Sequence, residues 1–137
     1  MRGKATWEEG CMSRVLVIDD ERIVPMILSY ALEAIGHEMI AADGGESGIR
    51  TALDEHPDAI VLDLMMPEVN GIDVIDTLRN DDATREVPIL VLTAVTMSRE
   101  HVECMKAGAD QVLTKPFDPQ DVADAVEDLL SPSHPAA

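Results

Sequence analysis

The sequence predicts an α/β fold: a three-layer (βα)5 arrangement, with a doubly wound parallel sheet of five strands between two layers of helices. Short apolar runs alternate five times with longer amphipathic stretches, as in crossover units rather than hairpins. The runs are apolar throughout, not at every second residue, as strands covered on both faces should be. Right-handed crossovers then favour the strand order 2-1-3-4-5. That order opens a crevice outside the C-terminal ends of strands 1 and 3.

The elements follow in order. VLVI at 15–18 is the first strand, and IVPMILSYALEAIG at 23–36 the first helix. Its spacing directs Ile23, Ile27 and Ala31 inward, with Val24, Leu28 and Ile35 beside them. Pro25 falls in or near the first turn, where a missing N–H costs least, and Gly36 suits the C-terminal cap. EMIAA at 38–42 is the second strand, and ESGIRTALDEH the second helix, with Ile49 and Leu53 on one face before His56-Pro57. AIVLDL at 59–64 precedes GIDVIDTLRND at 71–81, whose Ile72, Ile75 and Leu78 align. VPILVLT at 87–93 precedes SREHVECMKAG at 98–108. QVLT at 111–114 precedes PQDVADAVEDLL at 119–130, with Val122, Ala125, Val126 and Leu129 inward. Residues 1–13 carry no apolar periodicity and read as a leader or tag remnant. Residues 131–137 read as a tail, leaving one domain over 14–130.

Composition narrows the function. Lys plus Arg is 10 and Asp plus Glu is 27, so the net charge is −17. Such a chain repels nucleic acid and anionic membranes and favours metal cations or basic partners. One Trp, one Tyr and one Phe leave an aliphatic core and no base-stacking platform. Cys11 and Cys104 form no CxxC pair, and Cys104 reads as a small packing residue. The four histidines lack zinc spacing. No apolar run has the length of a membrane span and no signal-peptide core is present, so a reducing cytoplasm is the expected compartment. GGESG at 44–48 lacks the GxGxxG register and reads as a loop.

The polar residues at the C-terminal strand ends carry the chemistry. Strand 1 ends in Asp19-Asp20, followed by Glu21, and strand 3 holds Asp63 within IVLDLMM. Strand 4 ends in Thr93-Ala94 and strand 5 in Lys115-Pro116. Taken singly, each has an ordinary role. Asp19 or Asp20 would cap a helix, Glu21 would sit well at a helix N-terminus, Thr93 would be a strand residue and Lys115 a surface lysine. An acid inside an apolar run is harder to dismiss, because burying it is costly. Four such accidents on one sheet edge are less probable than one site. Three carboxylates within ~4–5 Å would repel by roughly 3–4 kcal/mol per pair at an effective dielectric near 20. They must protonate or bind a cation, and hard oxygens suit Mg²⁺ or Mn²⁺. A carboxylate nucleophile gives an acyl phosphate, while Lys115 and Thr93 can hold phosphoryl oxygens beside the small Ala94.

VLVIDDE at 15–21, IVLDLMMPEVNG at 60–71, PILVLTA at 88–94 and GADQVLTKPF at 108–117 together resemble the receiver domain of the two-component response regulator family. The resemblance, to the single-domain chemotaxis-regulator type, covers about residues 14–130 and implies the flavodoxin-like form of the fold. It implies that Asp63 accepts a phosphoryl group from a histidine kinase or histidine phosphotransfer protein. Asp20 would bind Mg²⁺ directly, Asp19 directly or through water, and Met65 through its backbone carbonyl. Thr93 and Lys115 would hold the phosphoryl oxygens, and the Lys115–Pro116 peptide would be cis. Pro67 and Gly71 would shape the loop after the acceptor, and Phe117 matches the family.

One position departs from the pattern: the aromatic switch residue three before the lysine is Val112 here. The family's paired movement of Thr93 and an aromatic ring thus lacks its ring. Met65 and Val95 are apolar where they would flank the attacking water, so slow loss of phosphate is expected, and Met65→Asn should change it. Signalling would pass through protein contacts on the face of helix 4, strand 5 and helix 5, presenting Arg99, Glu103, Lys106, Gln120 and Asp124. The stretch after Leu130 is too short for an output domain, and no nucleic-acid partner is expected. Three other readings stay open: a receiver of a longer regulator, a Mg²⁺-dependent phosphohydrolase using Asp63, and a binding module that accepts no phosphate. The phosphohydrolases with an Asp nucleophile place a second acid two residues on, where this chain has Met65.

Overall fold

The computed structural model describes residues 13–64, 71–93 and 98–131, with the backbone alone over 98–101. Five apolar runs form the strands β1 (Arg14–Ile18), β2 (Glu38–Ala42), β3 (Ala59–Asp63), β4 (Ile89–Thr93) and β5 (Gln111–Thr114). Between and after them lie α1 (Ile23–Ala34), α2 (Gly45–Glu55), α3 (Gly71–Arg79), α4 (Ser98–Ala107) and α5 (Pro119–Leu130). All strand pairs are parallel, in the order β2-β1-β3-β4-β5.

Side-chain alternation splits the core in two. Leu16, Ile18, Ile60, Leu62, Ile89 and Val91 face one layer, where they meet Ala52 of α2, Val74, Ile75 and Leu78 of α3 and Cys104 of α4. Val15, Val17, Val61, Leu90 and Leu92 face the other, against Leu28 and Leu32 of α1 and Val122, Val126 and Leu129 of α5. The central strands β3 and β4 are buried at every residue, which is why their sequences run without alternation. Cys104 is fully buried and in no disulfide among the described residues, a packing residue.

Local signals set the helix ends. Asp118 caps α5, accepting from the Gln120 N–H, while Asp121 reaches back to the Asp118 N–H, a reciprocal capping box with Pro119 in the first turn. α1 closes on Gly36 at φ +94°, where the Gly36 N–H donates to Glu33 O and the His37 N–H to Leu32 O. That paired closure needs the left-handed conformation glycine adopts without strain.

Two helix faces differ from the sequence expectation. α1 buries Pro25, Leu28 and Leu32. Ile23, Ile27 and Ile35, expected inward or beside the core, are 60%, 41% and 39% exposed, and Ala31 is only partly buried. This helix is apolar nearly all round, so periodicity alone does not choose its face. α2 buries Gly45, Gly48 and Ala52, with Ile49 and Leu53 half-buried at the margin. A Cβ on Gly48 would lie 2.7 Å from the Ile18 side chain, so a hydrogen here is what brings α2 close to β1. In α3, Val74 joins Ile75 and Leu78 in the core, and Ile72 is only partly buried.

The β1–α1 connection does not give its acids the ordinary role of helix cap. Neither Asp19 nor Asp20 caps α1, which starts after Arg22 without a side-chain cap, and no acid lies in its first turn. Ser13, assigned to the leader from the sequence, is buried, and its carbonyl accepts from the Glu38 N–H.

Candidate functional site

The sheet register brings the predicted polar residues to one edge. Asp63 is the last residue of β3, paired in register with Leu92, and Thr93 is the last of β4, opposite Thr114. Asp19 follows β1, and its N–H donates to the Ala42 carbonyl. Lys115 follows β5, and its N–H donates to Thr93 O at 2.7 Å. Each side chain is thus held by backbone that the sheet fixes. The Leu64 N–H donates to Leu92 O, continuing the ladder one residue past Asp63, and Gly71 brings the start of α3 against Leu64.

Asp19, Asp63 and Thr93 are all buried, at 2%, 4% and 2% exposure. Lys115 Nζ lies 3.2 Å from Asp63 Oδ2, a charge-assisted contact on the notch wall. Asp19 Oδ1 accepts from the Glu21 N–H at 2.9 Å, whereas Asp19 Oδ2 is buried with no hydrogen-bond partner. Burial pushes the Asp19 carboxyl up from 3.8 to about 7. The Asp63 carboxylate beside it adds to the rise, and the Glu21 N–H and the Lys115 ammonium oppose it. The fold therefore holds a second acid in a place where its charge is unwelcome without a partner.

The notch fits a hard divalent cation. An orphaned buried carboxylate oxygen beside a second carboxylate suits Mg²⁺, which commonly takes one or two carboxylates and keeps waters. Asp20 stands apart: its side chain is exposed, and among the described residues no three His, Cys, Asp or Glu side chains gather as a metal-holding group. Met65, Pro67, Ala94 and Val95 lie outside the described residues, as does the Arg99 side chain. Val112 is half-buried, pairs with Val91 and packs among the aliphatic residues beneath α4. The Lys115–Pro116 peptide is cis, and Phe117 packs against the core under α1 and α5. Glu103, Lys106, Gln120 and Asp124 are exposed on α4 and α5.

Sequence reasoning did not find Arg79. Its guanidinium donates to Gly108 O at 2.8 Å, Val87 O at 2.7 Å and Arg85 O at 2.8 Å, and pairs with Asp110 at 2.9 Å. It ties the end of α3 to the approaches of β4 and β5, at the sheet end opposite the notch. Burial lowers its pKa and Asp110 opposes that, so it stays a structural cation. His37 was likewise unassigned; it is buried and pairs with Glu127 of α5.

Comparisons with known proteins bear on the family and the fold. A family model described as the response regulator receiver domain matches residues 15–127. The DNA-binding dual master transcriptional regulator RpaA of Synechocystis is 39% identical over 119 residues, 87% of this chain and 49% of that protein. The alkaline phosphatase synthesis transcriptional regulatory protein PhoP of Bacillus subtilis is 40% identical over 124 residues, 90% of this chain and 51% of that one. The chain thus spans about half the length of the curated relatives it matches. Among solved structures, the chemotaxis response regulator CheY4 of Vibrio cholerae superposes with a TM-score of 0.79 at 28% identity, covering 85% of this chain and 97% of that one. The Francisella response regulator 1452 receiver domain gives 0.79 at 29% identity, covering 86% and 96%. Among the described residues no helix is long and apolar enough to cross a membrane.

Proposed function

The chain belongs to the response regulator receiver domain family, a signalling family rather than one of classical enzymes, and from that premise we propose that Asp63 is its phospho-acceptor. The observation that carries this reading is the pairing of buried Asp63 with Lys115, beside a buried Asp19 oxygen that has no hydrogen-bond partner. A phosphohistidine of a histidine kinase or histidine phosphotransfer protein would be the donor. Asp63 attacks the phosphorus, the P–N bond breaks with its electron pair left on the imidazole, and an acyl phosphate remains on Asp63. Lys115 follows a phosphoryl oxygen as charge moves outward from the carboxylate, and the Thr93 hydroxyl donates to another. Mg²⁺, held by Asp19 and Asp63 with Asp20 and the Met65 carbonyl as further donors, would neutralise charge between the acids and the phosphoryl group.

The output would be local. New negative charge on Asp63 draws Thr93 and Lys115 and biases the segments that follow β4 and β5. Val112 has no ring to turn, so the message to the α4–β5–α5 face would run through Thr93 and the backbone. A protein target on that face and a cytoplasmic setting complete the reading. The half-length match favours one further form of it, in which this domain controls a second, DNA-contacting half of a longer regulator. The length of the intact gene decides between the two forms.

Acetyl phosphate with Mg²⁺ tests the chemistry. Intact mass should rise by one phosphate in the wild type, and not in Asp63→Asn or in excess EDTA. A gain that survives Asp63→Asn removes the assignment. A slow decay of the labelled form, altered by Met65→Asn, would follow from the apolar residue at that position.

A further inference from the structure

Beside the acid notch a second feature opens over the edge strand. A groove of about 610 Å³ runs between the start of α1 and the start of α2, across the C-terminal end of β2. Its floor is apolar: Pro25 and Met26 from α1, and Met39 and Ala41 from β2. Met39 and Ala41 lie two apart on one face of a strand that has no neighbour on its outer side. Met26 is 51% exposed and Ala41 is exposed, so this apolar surface faces solvent. The rim is acidic: Asp20, Glu21 and Asp43 join Asp19, against a single base, Arg22. Asp19 also lines the groove, though its unpartnered Oδ2 belongs to the notch beside Asp63.

An apolar trough with an acidic lip suits a ligand that is apolar along its length and cationic at its tip. Arginine and lysine side chains have that form. The net charge of −17 draws basic partners to the surface as a whole, and the groove gives the attraction a fixed place. It also shares Asp19 with the notch, and a protein docked at Asp63 would cover about 800 Å² of this surface, enough to reach the groove. We propose that this groove seats an arginine or lysine side chain of the phosphodonor protein, its stem on Met26 and Met39 and its charge at Asp43. The proposal rests on the receiver reading for the identity of the partner.

The test uses the full chain with isotope-labelled methionine methyls, at saturating MgCl2 so that the notch is filled. N-acetyl-argininamide is titrated against guanidinium chloride (charge without stem) and N-acetyl-norleucinamide (stem without charge), at constant ionic strength. The Met26 and Met39 methyls should shift saturably with the arginine compound, at least about threefold tighter than with either fragment. Asp43→Asn should weaken it by about threefold, the scale of one partly exposed ion pair, and leave acetyl phosphate labelling of Asp63 unchanged. Equal response to guanidinium alone, no response to any compound, or indifference to Asp43→Asn overturns the proposal. A shift seen only without magnesium does so too, because it assigns the binding to the notch. Labelling and groove binding are read separately. Labelling without methyl shifts defeats the groove alone, and methyl shifts without labelling defeat the receiver chemistry and with it the choice of partner.

Discussion

Asp19 shows how one buried carboxyl couples the site to the stability of the fold. Its folded-state value near 7 stands above the ordinary 3.8, so the folded chain holds this proton more tightly than the unfolded chain does. The resulting stabilisation is fully present below 3.8 and is lost as pH rises through about 7. In EDTA, the urea midpoint of the wild type relative to Asp19→Asn should therefore fall between pH 5 and pH 8. A difference independent of pH would contradict this placement of Asp19. Arg79 makes the contrasting case of a charge that serves structure. Arg79→Met would remove the donor to the Gly108 and Val87 carbonyls and the cation paired with Asp110, which keeps the Ile89 N–H. Urea unfolding should show a loss of about 3 kcal/mol, with labelling at Asp63 intact in the folded fraction. The two residues differ in what the sequence reveals. Asp19, Asp63, Thr93 and Lys115 are legible because each is a polar residue at a strand end of a recognisable sheet. Arg79 meets Asp110 31 residues away, and His37 meets Glu127 90 residues away, with no local pattern to announce either.

The helices carry the part of the fold that sequence periodicity reads least well. The inner strands β1, β3 and β4 follow from the apolar runs, since a strand buried on both faces presents no choice of side, whereas the part-exposed edge strands β2 and β5 follow from their place in the alternation. A helix must choose, and α1 offers aliphatic residues to almost every direction. Leu28 and Leu32 are buried, while Ile27 remains 41% exposed. Leu28→Ala should cost about 2–5 kcal/mol in urea unfolding and Ile27→Ala less than about 1 kcal/mol. Equal losses would mean that the helix is rotated from the face described. In α2 the inward residues are Gly45, Gly48 and Ala52. At Gly48 the role is close approach to Ile18, which hydrophobic patterning does not register.

On the scale of the molecule, the topology performs the central task. A parallel sheet sends every strand's C-terminal end to one edge, so residues distant in sequence, from Asp19 to Lys115, meet without any helix supplying the reacting group. The opposite edge is tied by Arg79, leaving the notch edge as the place where loops can respond. The charge of −17 sets the sign of what approaches, and the notch concentrates it to the point where a cation and a phosphoryl group are the fitting guests. The most direct measurement is the position of the acyl phosphate. The chain is treated with acetyl phosphate and Mg²⁺, reduced with borohydride, and its peptides sequenced by mass spectrometry. Reduction of an aspartyl phosphate leaves homoserine, and the account predicts it at position 63 alone. Homoserine at Asp19, Asp20 or elsewhere, with Asp63 unmodified in a chain that has gained phosphate, would contradict it.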